Sequence, residues 1–226
     1  MDFELKLEIA SYCRITDKSV ILNGKALSIS RSSEESNLWL DDIYKSINMQ
    51  YPKFFKMDRL CKAGVLAAEL VLGEMGKIGE TGEIVFPASP ISPVSPISPI
   101  SIVCFNSSSS LDDDTVYQNT INDKENYYPS PSVFVYTLAN IVTGEIAIRH
   151  KIAGETSFYI SEKFDAAQIY DTITDMFRDN SLNGLLCGWV EYCDNHCDVL
   201  VMYVKRGNGN LENVSEEMIL DLYNKC

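Results

Sequence analysis

One stretch, Ser132 to Phe164, limits what this chain can fold into more than any other. Val133-Phe134-Val135-Tyr136 is β-rich and apolar, and reads as a strand. Leu138, Ile141, Val142, Ile146 and Ile148 follow at spacings that fit a buried helix, with Gly154 as its stop. Ser157-Phe158-Tyr159-Ile160 reads as a short buried strand. From Phe164 helical periodicity resumes, with Ile169, Ile173, Met176 and Phe177 on one face. Strand, turn and helix are thus joined at Glu162 and Lys163. Many α/β enzymes present a nucleophile at such a turn, because the helix N-terminus stabilises developing negative charge.

Around this stretch the chain supplies further elements. Leu5 to Ile15 alternates like a strand, and Val20-Ile21-Leu22 turns through Asn23-Gly24 into Lys25-Ala26-Leu27 as a hairpin. Trp39, Leu40, Ile43, Tyr44 and Ile47 mark an amphipathic helix with Asp41 and Asp42 outside. Leu60 to Leu72 is a second, Ala- and Leu-rich helix, with Gly73 and Gly76 as stops. Pro87 to Pro99 repeats proline every third residue, which removes backbone donors and favours polyproline II. It reads as an expanded surface loop; the alternative is a recognition segment for a proline-binding groove. Asn106 to Asp114 is a Ser/Asp-rich loop, and Tyr117 to Ile121 a short helical piece. Asn183-Gly184 leads into the strand at Leu185, Asp194-Asn195 turns it into Val199 to Val204, and Ser215 caps a terminal helix.

Composition narrows the function. A net charge of -13 argues against nucleic acid or an anionic membrane as the main partner. No apolar run is long enough to span a bilayer, and the charged start does not read as an export signal. Seven cysteines without a framework spacing read as reduced thiols in a soluble cytoplasmic protein. Cys187, Cys193, His196 and Cys197 have residue types that suit zinc. The first lies on a strand and the others crowd one turn, so no metal and no cofactor is expected. Lys163, flanked by Glu162 and Asp165, reads as a solvated lysine rather than a nucleophile. His150 and His196 are the only histidines, which is too few for a Cys-His-His set.

Thr137-Leu138-Ala139-Asn140-Ile141-Val142-Thr143-Gly144 followed by Gly154 resembles the β-ketoacyl synthase pattern of the thiolase superfamily. Lys56 to Glu69 is similar to that family's first long helix, Ser101 to Asn106 to its next core strand, and Leu185 to Glu191 to the strand after its nucleophile helix. The likeness covers most of Pro52 to Val204 apart from one insertion. It implies that the nucleophile position is taken by Lys163, which is not a thiol, and that the second half with its two catalytic histidines is missing. It also implies that Phe134, Thr137, Asn140, Ile141 and Gly144 lie at a subunit interface and acyl tunnel. Lys53, Lys56, Arg59 and Lys62 would be a docking patch for an acidic acyl carrier protein. Their spacing drifts about 60° per step on a helix, so they read equally as a solvated helix start.

These readings converge on one α/β domain over 1–226, a half-thiolase fold with a Ser-Pro insertion at 87–100 and a polar tail from about 207. Its mixed sheet is expected to carry the Ser101, Phe158, Leu185 and Val199 strands at the centre and helices on both faces. The function expected is that of a non-elongating, chain-length-factor-like subunit paired with an active ketosynthase. A reduced acyltransferase using another thiol, or a decayed relic, are the competing readings.

Overall fold

The structure, a computed structural model, describes residues 5–32, 38–73, 100–207 and 212–225. The Ser-Pro repeat and Gly76 lie outside the described residues.

Seven strands form one mixed sheet: β1 (Leu7–Thr16), β2 (Val20–Leu22), β3 (Lys25–Ala26), β4 (Ile100–Asn106), β5 (Thr156–Ile160), β6 (Gly184–Cys193) and β7 (His196–Arg206). Their order is β3-β2-β1-β7-β6-β4-β5. β4 runs parallel to β5 and β6, and all other pairings are antiparallel. The helices are α1 (Trp39–Ser46), α2 (Arg59–Leu72), α3 (Leu111–Asn119), α4 (Pro131–Phe134), α5 (Ile141–His150), α6 (Ala166–Met176) and α7 (Glu216–Asn224).

The central strands are apolar at consecutive positions because both faces of the sheet are covered. Ile102, Cys104, Leu186, Val190, Val199 and Val201 pack under α1, α2 and α5. Val103, Phe105, Leu185, Cys187, Leu200 and Met202 alternate with them and pack under α6 and α7. α2 is buried along most of its length: Asp58 caps it through the Cys61 N–H, and Ala63 to Ala68 are buried. The mixed sheet with helices on both faces is as expected from the sequence.

Several local expectations are corrected. Val133 to Tyr136 is helical, α4 running into a 3-10 turn over Val135–Thr137. Pro131 starts that helix, the Phe134 N–H reaches the Ser130 carbonyl at 3.0 Å, and among the described residues no strand pairs with the segment to reward its β propensity. α5 ends at Lys151 in the left-handed region (φ 55°), before Gly154. Gly154 serves another need: a Cβ there would stand 2.1 Å from the Ile100 carbonyl oxygen. β5 is an edge strand, not a central one, and is largely open on its outer side. Asp42 is buried, accepting from Ser32 N at 2.8 Å and Ser32 Oγ at 2.7 Å, so it does not face solvent beside Asp41. The serine-rich loop gives way to α3 already at Leu111.

No single helix among the described residues is long and apolar enough to cross a membrane. One bent pair, Pro131–Thr137 with Ile141–His150, passes on length and composition only together, across a 99° break.

Candidate functional site

The turn between β5 and α6 is built as the sequence suggested. The Ser161 N–H closes onto the Asn106 carbonyl at 2.8 Å, and Asp165 caps α6 by accepting the Gln168 N–H at 3.1 Å. Lys163 stands at this turn and is exposed. It lacks the desolvated surroundings in which a lysine acts as nucleophile or base. The residue after it holds the turn in place. Phe164 stacks on Tyr223 of α7 at 3.7 Å and meets Trp189 edge-on at 5.9 Å. Tyr223 donates its hydroxyl to Asp198, and Asp198 pairs with buried Arg14 at 2.6 Å. Arg14 returns to α7, donating from Nε to the Tyr223 carbonyl at 2.8 Å. Sequence reading missed this latch, because its members sit on the β5–α6 turn and on four other elements, β1, β6, β7 and α7.

The two histidines are each engaged elsewhere. His150 is held neutral, its pKa lowered to about 4 by burial, with Nε2 3.5 Å from Glu69. His196 is exposed and shares a hydrogen bond of 2.6 Å with Asp17. Cys187 lies under α6, Cys197 lies on the opposite face of the sheet, and the four residues with zinc-like chemistry do not converge. Burial pushes the thiols of Cys13, Cys61, Cys187 and Cys197 up, and that of Cys104 up to about 12. Cys193 is half-buried and raised by burial and by Asp112. Protonated, buried thiols are poor nucleophiles. Among these six, Cys193 alone is therefore expected to react with iodoacetamide in the native chain, and the other five only on unfolding. Mass mapping after timed labelling checks this; early modification of Cys61 or Cys187 would contradict it.

Several large apolar side chains are exposed on the α4–α5 segment and at the end of β5. Phe134, Leu138 and Ile148 on the α4–α5 segment are 50%, 51% and 64% exposed, and Ile160 at the end of β5 is 60% exposed. Asn140 is exposed, while Thr137 and Ile141 are half-buried. Thr137 is fixed from both sides: its hydroxyl donates to the Phe134 carbonyl at 2.7 Å, and its own carbonyl accepts from Ser110 Oγ at 2.7 Å. A Cβ on Gly144 would meet nothing within 4 Å. The basic residues, by contrast, are mostly committed within the chain. Lys53 pairs with Glu145 at 2.5 Å and Lys62 with Asp41 at 2.9 Å. Arg59 donates to Asn195 and lies over the Tyr192 ring, leaving Lys56 exposed.

No family model matches the chain, and no curated protein matches it. The fold defines a class all the same: the architecture is that of ketosynthases and chain length factors. Among solved structures, the ishigamide ketosynthase/chain length factor superposes with a TM-score of 0.62 at 12% identity, over 92% of this chain and 64% of that one. The ketosynthase ApeO in complex with its chain length factor ApeC, from Xenorhabdus doucetiae, gives 0.57 at 11% identity, over 97% of this chain and 91% of the matched one. AntDE:AntF, a type II polyketide acyl-carrier protein in complex with its ketosynthase, gives 0.53 at 8%, over 90% and 63%. The chain thus spans under two thirds of the length of the first and third of these.

Proposed function

We propose that this chain is a non-elongating, chain-length-factor-like subunit. It pairs with an active β-ketoacyl–acyl carrier protein synthase in fatty-acid-like or polyketide assembly, aryl-polyene assembly included. One observation carries the reading: a ketosynthase-like half carries an exposed lysine where a thiol is needed, and it exposes Phe134, Leu138, Ile148 and Ile160. Large apolar side chains left exposed in this number suit an interaction surface, and the partner that supplies the missing nucleophile and histidines is an intact ketosynthase. Residues 1–226 are taken as one domain with an insertion at 87–100. The carrier protein reaches the complex through the partner, with Lys56 and the outer part of Lys53 as this chain's contribution to docking. A cytoplasmic location fits this chemistry. The competing enzyme reading needs an accessible, activated thiol; Cys13, Cys61, Cys104, Cys187 and Cys197 are buried, and the accessible Cys193 has its pKa raised by burial and by Asp112, which counts against it.

Co-expression with a ketosynthase of that class is expected to give a 1:1 complex burying roughly 2,000 Å² or more. The isolated chain is expected not to turn over malonyl–carrier protein. Filling this surface by Thr137→Trp or Ile141→Trp should shorten the products of the complex. A chain that stays monomeric beside its partner, with product length indifferent to both substitutions, would end the proposal.

A further inference from the structure

Away from the β5 end of the sheet, β1 and α7 flank a groove of about 420 Å³. Ile9 and Tyr12 of β1 and Met218 of α7 give it an apolar lining, and all three are half-buried. Its margin is acidic, with Glu212, Glu217 and Asp221 exposed around it. Lys225 is the one cation among the lining residues, and its Nζ lies over the Tyr12 ring, 5.6 Å from the centroid. The groove is also open along the sheet edge. β1 pairs with β2 only from Cys13 to Ile15. Tyr12 is closed by Asn23, whose side chain accepts its N–H at 2.8 Å and whose N–H reaches its carbonyl at 3.0 Å. Leu7 is closed in the same way by the Asn213 side chain at 2.8 Å and the Val214 N–H at 2.9 Å. Between these two closures, Glu8 to Ser11 have no strand on that side among the described residues.

We propose that this groove docks a lysine-bearing peptide segment of a partner protein, the lysine seating over Tyr12 in the place Lys225 now takes. The occupant follows from complementarity. A lysine has an aliphatic stem to cover Ile9 and Met218, and an ammonium head to reach an aromatic face ringed by carboxylates. The negative margin attracts such a segment and turns acidic partners away. Lys225 shows that the Tyr12 ring accepts an ammonium, and it acts as an internal competitor that a docking lysine displaces. It sits at the C-terminal end of α7 and is exposed, so it can leave without disturbing the core. β7, β6 and β4 stand between β1 and β5, so the proposal does not rest on pairing with a ketosynthase.

The probe is the peptide acetyl-Val-Lys-Val-Lys-Val-amide, titrated into the nitrogen-15-labelled chain. The amide signals of Ile9, Tyr12, Met218 and Asp221 should shift together, and the same peptide with glutamates for lysines should move none of them. Lys225→Ala frees the Tyr12 ring and should tighten the Kd roughly two- to fivefold. Lys124→Ala removes the same charge outside the groove and should leave the Kd unchanged, while Asp221→Asn should weaken it. Absent shifts, shifts spread over the whole acidic surface, or equal tightening by Lys124→Ala would overturn the proposal. Spermidine matching the peptide's Kd would overturn it in favour of any small cation. Self-association of the chain that Asp221→Asn abolishes would overturn it in favour of a second copy.

Discussion

Gly188→Ala is expected to cost more than about 4 kcal/mol and leave little folded protein. Gly188 lies in β6, flanked by β4 and β7, where it pairs with Cys104 on one side and Val201 on the other. A Cβ there would fall 1.9 Å from the Leu200 carbonyl oxygen and 2.8 Å from the Val201 Cα. Both are backbone atoms of β7, which is itself locked between β1 and β6, so neither can step aside as a flexible side chain would. The loss compares with a total stability of about 5–15 kcal/mol for a domain, and should lower the melting temperature by at least about 8 °C. Gly144→Ala is the control: mid-helix and with open space around its Cβ, it should stabilise the chain by about 0.5–1 kcal/mol. Calorimetry of both variants settles it, and a Gly188→Ala melt within about 2 °C of the parent would show that the sheet gives way.

On the proposed pairing with a ketosynthase, Ile160→Pro is expected to weaken association strongly while leaving the chain folded. Ile102 N donates to the Glu155 carbonyl, and Ser161 N donates to the Asn106 carbonyl. By the period of two, Thr156, Phe158 and Ile160 then direct their N–H and C=O groups to the open edge. β5 lacks the charges and prolines with which solitary edges are blunted, and offers Thr-Ser-Phe-Tyr-Ile instead. A partner strand adding to this edge would need the Ile160 N–H and would cover its side chain. Proline removes both without touching the β4–β5 ladder, since edge positions tolerate it. Losing a central interface residue costs about 2–4 kcal/mol, which is roughly 30- to 1,000-fold in Kd. Analytical ultracentrifugation of the co-expressed pair reads the result, with circular dichroism as the check on folding. Unchanged association would move the interface away from β5.

What the chain alone settled was local or periodic. The turn at Lys163 between a strand and a helix, the capped starts at Asp58, Asp165 and Ser215, the Asn23-Gly24 hairpin and the two-sided apolar strands β4, β6 and β7 all rest on spacings within a few residues. The lack of a thiol at that turn, and of enough histidines, was equally plain from residue types. Other features depended on neighbours distant in sequence. Val133 to Tyr136 has the composition of a strand but pairs with no strand among the described residues, so proline-started helix won. β5 reads as buried until the sheet order places it last, and Asp42 reads as solvated until Ser32 arrives to satisfy it. Arg14 meets Asp198 and Tyr223, and Phe164 meets Tyr223, across dozens of residues. Periodicity reports which face of an element is apolar, whereas its neighbours are chosen by long-range packing; here that packing decided which strand stands at the sheet edge and which apolar side chains remained exposed.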